Sequence, residues 1–223
     1  MKVTLTETED GSHTLYVPEM DEHYHSTHGA IQESEHIFIQ NGFLTTTAQP
    51  LQILEVGFGT GLNAWLTCNE ATKAQRAVSY FTTEFYPLSP DTWEKLNYCN
   101  MHPDYDPSLF HAIHKASWEE KVGINNFFSI EKHKTDMTSF RFEKEITFDL
   151  VYYDAFAPGK QPEMWNRSIF EQIVNQMNPG AIFVTYCAKG SIRRLLTELG
   201  LKMERRPGPP GKKEILWGQK IIK

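Results

Sequence analysis

Residues 51–63 read Leu51-Gln52-Ile53-Leu54-Glu55-Val56-Gly57-Phe58-Gly59-Thr60-Gly61-Leu62-Asn63, and the change of pattern inside this stretch decides the fold. Leu51 to Val56 is an apolar run of strand length. Three glycines at alternate positions follow, and residues 62–69 leave them with helical character. Glycine suits such a junction because the backbone must turn tightly and admit close neighbours where a side chain would collide. A strand, a glycine loop and a helix in this order open an α/β sheet.

The same pattern recurs downstream. Val78 to Thr83, Phe127 to Lys132, Phe148 to Tyr153 and Ala181 to Cys187 read as buried strands. Helices are expected near 90–99, 107–120, 162–177 and 190–199, with Pro162 in a first turn and Asn178-Pro179-Gly180 as a stop. After Pro207-Gly208-Pro209-Pro210-Gly211, Ile215 to Trp217 and Ile221 to Ile222 suggest closing antiparallel strands. Upstream, Val3 and Leu5 alternate before Asp10-Gly11, and Leu15 and Val17 after it, as in a hairpin. A polar, His-rich stretch then turns helical toward Ile31, Ile37 and Phe38. Strands alternating with helices predict a mostly parallel sheet covered on both faces. Two parts of one compact unit are expected: a hairpin and helical segment over 1–45, and the sheet domain over 46–223.

The chain has 223 residues, 40% hydrophobic and 22% charged, enough for a core without staples. No apolar run approaches the ~20 residues of a membrane-spanning helix. The start lacks a signal-peptide pattern, and Cys68, Cys99 and Cys187 are sparse and odd in number. Both features predict a cytoplasmic protein whose cysteines pack rather than bridge. Net charge is −6, yet Lys189 to Lys223 hold ten basic and three acidic residues, a local +7 against −13 for the remainder. This split predicts a directed basic surface, or equally a solvated helix face with a charged end.

The loop spacing is G-x-G-x-G, not the G-x-G-x-x-G that receives a pyrophosphate. Glu55, just before Gly57, would sit poorly beside a diphosphate and better beside a cationic ligand such as S-adenosylmethionine. Glu84, at the end of a strand, is placed to grip ribose hydroxyls. Asp136 is placed either to accept from an adenine amino group or to cap a helix ahead of Met137. Asp154 emerges from the most apolar strand into Ala155-Phe156-Ala157-Pro158-Gly159-Lys160-Gln161-Pro162-Glu163-Met164-Trp165. A carboxylate there is costly without a task or a partner. An acid followed by an aromatic in a stiff loop can orient an amine and stack a planar ring, or it can simply satisfy turn amides. His23, His25 and His28 match no zinc spacing, so no metal is expected.

Several blocks together resemble the methyltransferase half of the bifunctional tRNA 5-methylaminomethyl-2-thiouridine biosynthesis protein MnmC, and its stand-alone relatives. They are Asp21 to Ala30 leading into Glu33-Ser34-Glu35-His36-Ile37-Phe38, Glu55 to Asn63, Asp154 to Trp165, Thr185 to Gly190, and Pro207 to Glu214. The resemblance implies a class I, Rossmann-like methyltransferase fold with a seven-stranded sheet and S-adenosylmethionine in its crevice. It implies methylation of the primary amine of 5-aminomethyl-2-thiouridine at the tRNA wobble position. The bifunctional relatives add an FAD-dependent oxidase for which 223 residues leave no room, so no FAD is expected here and a separate oxidase would supply the amine.

On this reading Glu55, Gly57, Gly59, Gly61, Asn63, Glu84, Asp136 and Asp154 hold the cofactor. Asp154 receives or orients the amine, and Tyr24 and Phe156 frame the base or the transferring methyl. Lys160, Lys189, Arg193, Arg194, Lys212 and Lys213 face phosphates of the anticodon stem-loop. Two other readings fit the same residues: a methyltransferase acting on another amine, and a non-catalytic nucleotide-binding scaffold.

Overall fold

A computed structural model describes residues 1–221. The first strands, β1 (Thr4–Glu7) and β2 (His13–Val17), form the expected hairpin, and β3 (Glu22–His23) extends it to a three-stranded antiparallel sheet. A short helix α1 (Ala30–Ser34) then winds into a π-helical stretch, Glu35–Gln40, and a 3-10 turn, Phe43–Thr45.

The main sheet begins with β4 (Leu51–Val56), followed by helix α2 (Leu62–Lys73) and β5 (Val78–Glu84). Single turns α3 (Pro90–Trp93) and α4 (Tyr98–Met101) lead to α5 (Pro107–Lys115). Strands β6 (Lys121–Gly123), β7 (Phe128–Lys134) and β8 (Phe148–Tyr153) follow. The chain ends with α6 (Arg167–Gln176), β9 (Met177–Thr185), α7 (Gly190–Glu198), β10 (Leu201–Pro207) and β11 (Glu214–Lys220).

Strand order is β10-β11-β9-β8-β4-β5-β7-β6. The pairs β4–β5, β4–β8, β5–β7 and β8–β9 are parallel, while β11 runs antiparallel to both β9 and β10. Seven strands thus make the expected sheet, and the three-residue β6 adds an antiparallel edge on β7. Because the chain moves from β4 toward β7 and then returns to β8, the order reverses between β4 and β8. That reversal opens a crevice at the strand C-termini.

The alternation of side chains along each strand divides the core into two layers. Leu51, Ile53 and Tyr80 pack with Trp65, Phe110 and Ile113 of α2 and α5, and with Ile37 and Phe38 from the N-terminal segment. Leu54, Val56 and Phe81 face the other way, toward Ile169, Phe170, Ile173 and Leu196 of α6 and α7. Burial on both faces explains why β4 and β8 read as nearly continuous apolar runs.

Several local expectations differ from the structure. The helix expected near 90–99 is two single turns, because Asn97 spends its side chain on the hairpin: it donates to the Gly11 carbonyl at 2.9 Å and accepts the His13 amide at 2.8 Å. The helix expected to reach 120 stops at Lys115, and Trp118 already bridges to Lys132 of β7. The helix expected over 162–177 divides at Asn166 into a 3-10 turn, Pro162–Trp165, and α6. Asn178-Pro179-Gly180 lies inside β9, where the register against β8 shifts. Strand β10 has too polar a sequence to stand out, since it is an edge strand. Of the pair Ile221 to Ile222, Ile221 lies outside β11 and Ile222 lies outside the described residues.

Candidate active site

The crevice holds a cavity of about 320 Å³. Its walls come from the ends of β4, β5, β7 and β8 and from residues 20 and 22–27, which reach over it from the N-terminal sheet. Asn63, Glu84, Asp136, Asp154, Tyr24, Phe156 and Lys212 all line it, as do Gly57 and Gly59.

Backbone bonds hold the glycine loop. The amides of Gly57 and Phe58 both donate to the Thr83 carbonyl, at 3.0 and 3.1 Å, and the Asp154 amide donates to the Val56 carbonyl at 2.9 Å. Gly57 has φ +95°, and a Cβ there would meet the Asp154 carbonyl oxygen at 2.6 Å, so the position accepts only glycine on two grounds. Gly59, at φ +51°, leaves the space into which the Tyr24 ring leans. Gly61 does not line the cavity; at φ +73° it starts α2.

Glu84 uses one carboxylate oxygen to accept the Gly59 amide at 2.9 Å and the other to accept the Tyr86 amide at 2.8 Å. Burial raises its pKa, and these amide bonds oppose the rise. The carboxylate is therefore fixed at the cavity wall with lone pairs to spare. Asp136 is half-buried at the end of β7 and accepts the Thr138 amide at 2.8 Å, the capping arrangement, while still lining the cavity.

Glu55 sits elsewhere than expected. Its side chain is fully buried beneath the loop, outside the cavity lining, and accepts the Thr82 hydroxyl at 2.7 Å. The reason is strand alternation: Glu55 points to the same face as Leu51 and Ile53, into the layer under α2. Burial pushes its pKa up to about 8, with the nearby Asp154 carboxyl adding to the rise.

Asp154 accepts the Asn63 side-chain amide at 2.9 Å. Desolvation raises its pKa to about 7, helped by the Glu33 charge and opposed by Asn63 and Lys212. Tyr24 meets Phe156 edge to face, with centroids 5.0 Å apart, so both expected framing aromatics stand together. The Tyr24 hydroxyl is buried and has no hydrogen-bond partner among the described residues.

The histidines separate. His25 is buried and its Nε2 lies 2.7 Å from the Thr60 hydroxyl; burial lowers its pKa to about 4. His28 pairs with Glu9 at 2.8 Å, and His23 packs on Tyr16. Among the described residues no group of three or more His, Cys, Asp or Glu side chains could hold a metal ion.

Of the expected phosphate contacts, only Lys212 lines the cavity. Lys160 pairs with Asp21 at 3.2 Å. Lys189, Arg194 and Lys213 are exposed and Arg193 is half-buried, and none of the four has an acidic partner among the described residues. Lys189 and both arginines stand at the start of α7, just beyond the C-terminal end of β9 and so on the cavity's side of the sheet.

Other lining residues had no assigned role in the sequence. Glu33 and Tyr186 lie within stretches that mark the resemblance, but their spacing alone gives no task. Phe85 and Tyr86, both exposed and directly after Glu84, could have been found as an aromatic pair at a strand end.

Residues 116–221 match the family described as S-adenosyl-L-methionine-dependent methyltransferase. The tRNA 5-methylaminomethyl-2-thiouridine biosynthesis bifunctional protein MnmC of Pseudomonas fluorescens is 30% identical over 214 residues, covering 89% of this chain and 32% of that protein. MnmC of Leptospira borgpetersenii is 28% identical over the same shares. The chain is similar to part of MnmC. It spans about a third of the length of these curated relatives. The crystal structure of MnmC2 from Aquifex aeolicus superposes with a TM-score of 0.76 at 22% identity, covering 97% of this chain and 70% of that one. Spermidine synthase from Thermotoga maritima gives 0.56 at 10% identity, covering all of this chain and 73% of that one. The MnmC2 likeness shows the class I methyltransferase fold with its small N-terminal antiparallel sheet.

Proposed function

We propose that this chain methylates the primary amine of 5-aminomethyl-2-thiouridine at the tRNA wobble position, using S-adenosylmethionine. The observation that carries this reading is the Asp154 carboxylate, fixed by Asn63 at the cavity wall beside the paired rings of Tyr24 and Phe156. Similarity to MnmC over 89% of the chain supports this choice of substrate.

The residues fit the cofactor. Two glycines keep the loop backbone open, Glu84 offers a fixed carboxylate for ribose hydroxyls, and Asp136, Phe85 and Met137 offer polar and apolar surface for a purine. When bound, S-adenosylmethionine supplies an electrophilic methyl on a sulfonium. Asn63 and Asp154 complete the set from the β4 and β8 sides. Glu55 supports the loop from beneath.

An alkyl amine titrates near ~10.4 and must shed a proton before its lone pair can attack. An ordinary carboxylate is a poor acceptor for that proton. Asp154, raised to about 7 by burial, is a better one, and the Asn63 amide engages one of its two oxygens at the cavity wall. The chain then contributes alignment and exclusion of water, with residues 20 and 22–27 as the wall on the substrate side. In the proposal residues 1–45 serve the substrate and 46–223 the cofactor. The anticodon stem-loop lies against Lys189, Arg193, Arg194 and Lys213, in the cytoplasm, and a separate FAD-dependent oxidase prepares the amine.

The test is methyl transfer in vitro to tRNA bearing the aminomethyl group and to tRNA lacking it, read by nucleoside mass spectrometry. Transfer only to the former is expected. Equal transfer to both, or none to either, overturns the reading.

A further inference from the structure

The cavity already contains an alkylammonium group, and it belongs to the protein. Lys212 Nζ lies 2.6 Å from Glu33 Oε1 and 4.7 Å from the centroid of the Tyr186 ring. The Tyr186 hydroxyl donates to the Ala155 carbonyl at 2.8 Å, which anchors the ring at the residue after Asp154. The second Glu33 oxygen accepts the Ser26 amide at 2.7 Å. Only 8% of the Glu33 side chain is accessible against 27% of Lys212, so the acid is built in and the lysine enters from the open side. A carboxylate and an aromatic face around one ammonium is the arrangement that recognises a primary amine.

We infer that Glu33 and Tyr186, next to Asp154, form the subsite for the substrate's alkylammonium group, and that Lys212 fills it in the free enzyme and swings out when the substrate amine enters. The inference rests on the methyl-transfer reading above and names the group that selects the acceptor. A buried carboxylate is costly without a cation, so Lys212 keeps Glu33 paired until another cation of the same chemistry replaces it. A neutral hydroxymethyl group at the same place would leave Glu33 unpaired, which is how such a site rejects an isostere. Only the side chain has to move. The turn that carries it is held by the Lys212 amide on the Pro209 carbonyl at 2.9 Å and the Gly208 amide on the Lys213 carbonyl at 3.1 Å.

The experiment compares two nucleosides, 5-aminomethyluridine and the neutral isostere 5-hydroxymethyluridine, binding to enzyme loaded with S-adenosylhomocysteine, by calorimetry. Lys212→Met should gain tenfold or more in affinity for the amine and nothing for the alcohol. Lys212→Arg should keep the wild-type ratio, and Glu33→Gln should abolish the preference for the amine. Unchanged melting and S-adenosylhomocysteine affinity identify variants that fold. An amine-to-alcohol ratio that Lys212→Met leaves unchanged or lowers, or a lack of preference in every variant, makes the pair a structural strut and overturns the inference. Methylation of tRNA by the wild type is scored separately: if it fails while the amine preference responds as stated, the functional reading falls and the subsite stands.

Discussion

Asn63, in the first turn of α2, donates its side-chain amide to the Asp154 carboxylate at 2.9 Å, joining the glycine loop to the loop after β8. The bond favours the ionised carboxylate and therefore holds its pKa down, whereas the Glu33 charge pushes it up. Asn63→Ala should move the acidic limb of the kcat/KM profile to higher pH. Glu33→Gln should move it to lower pH. Opposite shifts are expected from two variants near one group, and pH-rate profiles on aminomethylated tRNA check them.

Gly57→Ala combines a left-handed backbone with a Cβ 2.6 Å from the Asp154 carbonyl oxygen. Such strain costs on the order of 1–3 kcal/mol. Thermal melting should show a clear loss of stability, and calorimetry should show a weaker hold on S-adenosylmethionine, because the loop must shift away from Asp154.

Glu55 is protonated in the folded chain up to about pH 8, whereas in the unfolded chain it ionises near 4.5. Between those values the folded state binds more protons, so this group's stabilisation is complete below pH 4.5 and declines as pH rises through about 8. Glu55→Gln should flatten that slope. Melting temperatures compared across pH 5 to 9 should show the variant gaining most at the alkaline end, by about 2–4 °C for each kcal/mol relieved.

Arg194 and Lys213 are exposed and have no acidic partner among the described residues. Replacing either with alanine should weaken tRNA binding similarly for all sequences and lower the slope of log K against log salt by about 1. Filter binding over a salt series measures it. Lys160→Ala should change the slope less, since its ammonium already sits on Asp21 at 3.2 Å.

The strand, loop and helix of residues 51–63 were legible because burial on both faces writes an unbroken apolar run, and because only glycine fits the loop's backbone. Asp154 and Glu84 were legible for a related reason: an acid at the end of such a run stands out. Glu55 misled because a sequence shows that an acid adjoins the loop but not which face of the sheet it takes. Glu33 and Tyr186 were illegible as a site because Lys212, which joins them, lies more than 20 positions beyond the nearer of the two in the chain. Strand β10 was missed because only Leu201 of its seven residues is buried.

Strand β10 has a consequence of another kind. It forms one open edge of the sheet, and an open edge offers unpaired amides and carbonyls to any passing strand. Lys202, Arg205, Arg206 and Pro207 line that edge in sequence, and at the opposite edge β6 is three residues long. Charge, proline and brevity are the ways a sheet avoids edge-to-edge aggregation. Part of the basic character concentrated at the C-terminal end therefore protects solubility, and a substitution that neutralised it to probe RNA binding would also make the protein stickier toward itself.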